Sequence, residues 1–280
     1  MKRILLLIAV IALMCTAISC SNDDEPKRDN RMVTINTPMV NHMVNTASGD
    51  VLGFTTTQNK LVIDVDKRTA SIEMINNGDT TRLNDIIATP KEDLSVFQLS
   101  SASDPSFKGY VDIYEGTSIR YRYITADGIR VISTTPEVFF LKTNSTIVYD
   151  DMTPSSTTEE TRYQFTIQPA GQNATIQVTQ IVHAKDLKYF ESITSSNVPI
   201  TVTRNGFTIS GENLPTTAIY RAYNDSTGST KTTTNQYPFK TFNATVDLVN
   251  DRMEANFMMG ASATVTATGR TYPDYREIDW

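Results

Sequence analysis

Apolar and polar residues alternate along most of this chain, the pattern of strands that bury one face. Ala174, Ile176 and Val178 alternate with Thr175 and Gln177, and Leu61 and Ile63 with Val62 and Asp64. Turn dipeptides punctuate the runs. Asn205-Gly206 divides Ile200–Arg204 from Phe207–Ser210, and a two-residue turn there pairs Val202 with Ile209, Thr203 with Thr208 and Arg204 with Phe207. Asn77-Gly78 follows a strand over Ala70–Ile75 with Ile72 and Met74 on one face. Asp127-Gly128 joins Ile119–Ile124 to Ile129–Ile132, apolar on both faces. Further strands are expected at 60–65, 94–99, 109–114, 137–141, 162–168, 173–182, 216–223, 239–249, 252–259 and 262–268. Helical spacing occurs in two short stretches, Leu83–Ala88 and Lys185–Ile193, the second aligning Leu187, Phe190 and Ile193.

A weak repeat runs through the pattern. Lys60–Met74 aligns without a gap on Gln164–Val178, placing Leu61 on Phe165, Ile63 on Ile167, Ala70 on Ala174, Ile72 on Ile176 and Met74 on Val178. A short helical stretch follows each copy, then a strand ending Phe97-Gln98-Leu99-Ser100 or Phe207-Thr208-Ile209-Ser210. Two unrelated β-hairpins can align as well as this. Asp150–Thr161 is polar and aperiodic and reads as a linker. The expected organisation is a signal at 1–19, a tether at 20–31, one β-domain at 32–149, a linker at 150–161 and a second β-domain at 162–280.

Composition sharpens the fold class. Threonine is about one residue in seven, and with Val, Ile, Tyr and Phe it suits a half-buried pleated surface better than a helix. The chain is all-β: two antiparallel domains, barrels or sandwiches. Without Lys2 and Arg3 it carries 23 basic and 31 acidic residues, a net charge of −8. An acidic chain without a basic patch is a poor partner for nucleic acid, whose affinity comes from phosphate neutralisation. No Walker or dinucleotide loop is present, and no cofactor is expected.

Met1-Lys2-Arg3 and the apolar run Ile4–Met14 form an export signal too short to span a bilayer as a helix of ~20 residues. Ser19 supplies the small residue before the cleaved bond, which leaves Cys20 at the new N-terminus. Asn22, Asp23, Asp24 and Glu25 follow at once. The segment resembles the signal and acidic tether of surface lipoproteins of Bacteroidota, although Ala17 stands where Leu is usual. That resemblance implies a lipid on Cys20 and export of the tethered chain to the outer face of the outer membrane. Tyr237–Asp247 and Thr264–Gly269 are faintly similar to calycin-like lipoproteins of that group, which supports antiparallel barrels or sandwiches and leaves function open.

The candidate chemistry is sparse. Both cysteines, Cys15 and Cys20, fall in the signal region, and His42 and His183 are the only histidines. Zinc sites built from several Cys or His ligands are thereby excluded and no metal is expected. Each histidine reads more readily as structural than as a catalytic base, there being no nucleophile elbow. Asp150-Asp151 and Glu159-Glu160 could serve a glycoside hydrolase only if two carboxylates converged, and adjacent side chains on a linker point apart. Arg120 and Arg122 interleaved with Tyr121 and Tyr123, near Tyr110 and Tyr114, form a candidate sugar platform, against a plain reading of the tyrosines as core. Asp79-Thr80-Thr81 and Asp225-Ser226-Thr227 resemble O-glycosylation acceptors of exported Bacteroidota proteins, with Thr80 and Ser226 as the modified residues. The expected function is a non-enzymatic outer-membrane lipoprotein on the cell surface that binds a glycan, a small apolar ligand or an envelope protein. The alternatives are a structural subunit or anchor of a surface appendage and, more weakly, a carboxylate-based hydrolase.

Overall fold

The structure, a computed structural model, describes residues 31–91, 95–113, 118–151, 153–169 and 171–270, without the side chains of 141–142 and 158–160. Cys20, the Asn22–Glu25 tether and Tyr114 lie outside these residues, as do the side chains of Glu159 and Glu160. The described residues contain strands and no helix.

The first eight strands are β1 (Met32–Asn45), β2 (Val51–Asp64), β3 (Thr69–Asn76), β4 (Asp79–Lys91), β5 (Val96–Ser101), β6 (Lys108–Asp112), β7 (Ser118–Ile124) and β8 (Ile129–Thr134). They run up and down in chain order, and β8 pairs back onto β1 to close a barrel. The remaining strands are β9 (Glu137–Tyr149), β10 (Ser156–Ile167), β11 (Asn173–Thr179), β12 (Ile181–His183), β13 (Lys188–Val202), β14 (Gly206–Leu214), β15 (Thr217–Ala222), β16 (Thr230–Thr234), β17 (Phe239–Asp247), β18 (Arg252–Met259) and β19 (Ala263–Arg270). Eight of these close a second antiparallel barrel, in the order β11-β10-β9-β19-β18-β17-β14-β13, with β13 returning to β11. β12, β15 and β16 extend its wall at the N-terminal half of β13.

Both interiors are filled by inward-pointing side chains, as expected for barrels of this strand number. Leu61, Ile72, Phe97, Leu99, Val111 and Tyr121 pack inside the first. Phe140, Phe165, Ile176, Phe242, Phe257 and Val265 pack inside the second.

The barrels are not independent. Alternation along β1 sends Met39 into the first core and Val40 out into the second, where Ile132 of β8 joins it. Phe54 of β2 packs against Phe207 at 6.0 Å. His42 Nε2 lies 2.7 Å from the Thr203 carbonyl, and Arg130 donates to the carbonyl of Arg204. Arg120, buried on the outer face of β7, forms an ion pair with Asp251 in the β17–β18 turn. One wall of the first barrel thus covers the end of the second that carries the β13–β14 and β17–β18 turns.

Several expectations are corrected. The passage between the barrels is Thr135-Pro136, and β9 belongs to the second sheet. Of the stretch read as a linker, residues 150–155 connect β9 to β10 within one barrel, and residues from Ser156 are already strand. The first helical stretch is strand and the second is turn followed by strand, and bulges distort the spacing of both. In β4, Ile72 pairs with Leu83 but Ala70 with Ile86, so Asn84 and Asp85 together face Ser71. The inward side chains then fall at Leu83, Ile86 and Ala88, imitating a helical period. In β13 a register shift between Phe190 and Ser192 separates Phe190 from Ile193 by three residues, while Leu187 sits exposed in the preceding turn.

The hairpin around residue 205 keeps its predicted faces but moves by one residue pair: Val202 pairs with Phe207 and Ile200 with Ile209. Arg204 and Asn205 occupy the turn. Gly206 is needed for another reason, because a Cβ there would collide with the Val246 carbonyl. Asn77-Gly78 forms the expected two-residue turn, both residues at positive φ.

Candidate functional site

The residues singled out in the sequence scatter over the molecule. On β7, Tyr121 points into the first barrel, and its hydroxyl takes part in a buried cluster with Asn59 and Ser133. Tyr123 stacks beside it at 6.3 Å, centroid to centroid. Arg120 faces the other way, against Asp251 and the ring of Tyr110. Strand alternation places Tyr121 and Arg120 on opposite faces of the sheet, so the four residues form no common platform.

Asp150 and Asp151 turn towards one cation. Lys185 Nζ lies 2.6 Å from Asp151 and 4.0 Å from Asp150. Its hydrogen bond, with that of Thr153, holds the Asp151 carboxyl well below the usual carboxylate range. The pair therefore fastens the β9–β10 connection to the β12–β13 turn. His183 lies among Tyr149, Phe190 and Tyr237, with ring centroids 5.2–6.2 Å away. Burial lowers its pKa, and Asp186 opposes that shift. The Tyr237 hydroxyl donates to Asp186 and accepts from Lys188, whose ammonium sits 4.6 Å from the centre of the Tyr220 ring. Thr80 and Ser226 are exposed, the first beside the Asn77-Gly78 turn and the second in the β15–β16 loop. Asp225 organises that loop, accepting from Thr227, Ser229 and Lys231. Among the described residues no group of three or more His, Cys, Asp and Glu could hold a metal.

A different surface emerges on the second barrel, across β9, β19, β18, β17 and β14. Registers between these strands align outward side chains into two rows. One row runs Asn144–Thr268–Glu254–Thr245–Thr208. The next runs Thr146–Thr266–Asn256–Asn243–Ser210, and Thr157 of β10 extends it. Only Glu254 among these residues is ionisable. Between the rows the inward positions are Ser145, Ala267, Ala255 and Ala244, followed by Ile209. The furrow above them is a shallow groove of about 720 Å³.

No residue of this groove was a candidate for binding chemistry in the sequence, although Tyr237–Asp247, Thr264–Gly269 and Phe207–Ser210 were read there for fold and repeat. Its signature is a polar-small-polar triplet on four neighbouring strands: Asn144-Ser145-Thr146, Thr266-Ala267-Thr268, Glu254-Ala255-Asn256 and Asn243-Ala244-Thr245. Each triplet is unremarkable alone, and only the sheet order brings them side by side. A second cleft of about 710 Å³ lies where the first barrel meets the second, lined by Pro38, Gln58, Asn77, Pro136 and Gln168 among others. β16 ends the sheet as a five-residue edge bearing Lys231, and short charged edges resist further pairing.

No protein-family model matches the chain, and no curated protein matches it. Three solved structures are distantly similar. A "putative outer membrane protein" of Bacteroides fragilis is 13% identical, with 85% of this chain and 96% of that chain covered and a TM-score of 0.33. A protein of unknown function from the DUF3598 family of Nostoc punctiforme is 12% identical, with 85% and 95% covered and a TM-score of 0.24. The isotype 1 transferrin binding protein B of Neisseria meningitidis serogroup B is 7% identical, with 87% and 77% covered and a TM-score of 0.26. At such identities and TM-scores none of the three carries a function across to this chain.

Proposed function

We propose that this protein is a non-enzymatic binding module, held at the outer face of the outer membrane by a lipid on Cys20, whose ligand lies on the polar face of the second barrel. The address rests on the export signal, the position of Cys20 after Ser19 and the acidic run Asn22–Glu25. Thr80 and Ser226, exposed on turns, would carry glycans that solubilise the displayed chain.

One observation carries the binding reading: ten outward side chains in two aligned rows hold a single ionisable group and border one groove. Charge makes up 20% of the whole chain, and charged residues are depleted where a surface is meant to be covered. Of the carboxylates weighed for hydrolysis, Asp150 and Asp151 converge on Lys185 and so support no second reading.

Cells displaying the native protein, a Cys20→Ala variant and an Asn243→Lys/Thr266→Lys variant test both parts. They would be incubated with fluorescent glycans, fatty acids and extended peptides. Native cells should label with one of these classes. The Cys20→Ala protein should leave the membrane, and the two-lysine variant should stay displayed but unlabelled. Labelling that survives both lysines would remove the face from the binding role.

A further inference from the structure

We infer, on the strength of that reading of the face, that its ligand is a linear neutral polysaccharide lying across the strands with about one sugar unit over each. The first argument is chemical. The two rows offer hydroxyls and primary amides, which both donate and accept, and these match sugar hydroxyls rather than a charged or apolar ligand. Asn256 and Asn243 stand directly opposite one another, with Thr266 beyond Asn256. Glu254, at the middle of its row, is the one acceptor strong enough to take two neighbouring hydroxyls.

The second argument is geometric. Neighbouring strands are about 4.8 Å apart and alternate residues along a strand about 6.8 Å apart. A chain in the furrow therefore meets a polar side chain on either flank at every strand, at a step close to the length of one extended hexose unit. The floor between the rows is backbone, because Ala244, Ala255 and Ala267 turn their side chains inward.

The third argument concerns the flanks. Beyond the second row, Val148 and Met258 stand either side of Thr264, and Val148 is 51% exposed. Thr264 and Thr241 interrupt these apolar side chains along the same row. Beyond the first row, Arg252 and Arg270 pair across β18 and β19, whereas among the ten side chains of the two rows the single charge is Glu254, which an acidic polymer would have to lie against.

Calorimetry of the full-length protein in detergent, with β-linked glucan and mannan oligomers of increasing length and with polygalacturonate as the acidic counterpart, tests the inference. Affinity for a neutral oligomer should rise with length and level off near about five units, the number of strands that carry both rows. Asn256→Ala should weaken it about tenfold, the worth of roughly one well-made hydrogen bond to a ligand. Affinity independent of length, preference for polygalacturonate, or no binding to any neutral oligomer overturns the inference. The two failures are separable through the Asn243→Lys/Thr266→Lys variant. If it abolishes binding of some other ligand, the face stands and the polysaccharide falls. If neutral oligomers bind the variant as they bind the native chain, the face falls.

Discussion

His42 shows how a single side chain is committed by its surroundings. It sits in the seam between barrels, edge-on to Phe54 at 5.5 Å, with Nε2–H donating to Thr203 and Nδ1 buried without a partner. Burial is the main cause lowering its pKa, and nearby Arg130 adds to it, against the opposing bond to Thr203. In the unfolded chain the imidazole takes a proton near the ordinary value of about 6.5. Below that pH the unfolded state binds protons that the folded state refuses, so stability is full above about 6.5 and falls as the solution becomes more acid. His183, also lowered by burial, acts in the same sense. Denaturant titrations between about pH 7.5 and 5 should show this decline, and it should be shallower in His42→Gln, whose amide can still donate to Thr203. An equal decline in both proteins would take His42 out of the account.

At the scale of elements the repeat becomes concrete. Leu61 pairs with Ile72 and Ile63 with Ala70 between β2 and β3, while Phe165 pairs with Ile176 and Ile167 with Ala174 between β10 and β11. Each hairpin supplies the second and third strands of its barrel, and β5 and β14, which hold the matching Phe-x-aliphatic-Ser segments, are both fifth. Even the irregularities coincide. The bulge between Ala70 and Ile72 recurs between Ala174 and Ile176, and in both the extra residue is left-handed, Asp85 at φ 59° and Asn197 at φ 58°. A β-branched residue at such a position costs about 1–2 kcal/mol, and glycine relieves the strain. Asp85→Val should therefore lower stability by about that amount, and Asp85→Gly should hold or raise it; thermal unfolding that ranks them the other way would mean that the Asp85 side chain itself carries the bulge. The strand over Ala70–Ile75 and its turn at Asn77-Gly78 were legible in the sequence because alternation and turn chemistry are local. The bulges were not, because one extra residue converts a strand period into a helical one. The groove was hidden for a different reason: Asn243, Asn256 and Thr266 become neighbours only once β17, β18 and β19 are placed together.

For the molecule as a whole, the decisive contact is the sharing of Val40 and Ile132 with the core of the second barrel. The Arg120–Asp251 pair within that seam is almost out of solvent on the arginine side. Breaking a buried ion pair by removing one partner is strongly destabilising, by about 3–5 kcal/mol. Asp251→Asn, which keeps a residue tolerant of the φ of 53° found there, should lower the midpoint of one cooperative transition followed by circular dichroism. A variant that instead unfolds in two steps would show that the barrels hold together separately. The closure of the second barrel bears also on how the chain comes to be folded. Its first strand, β9, is sealed by its last, β19, with Tyr149 against Ala263 and Lys142 against Arg270. However the chain folds, β9 is sealed only when β19 reaches it, and Val40 and Ile132 are covered only by the core of the second barrel. Such distant pairing is slow and leaves sticky edges open in the meantime, so a polypeptide cut short before β19 should aggregate where the longer chain folds.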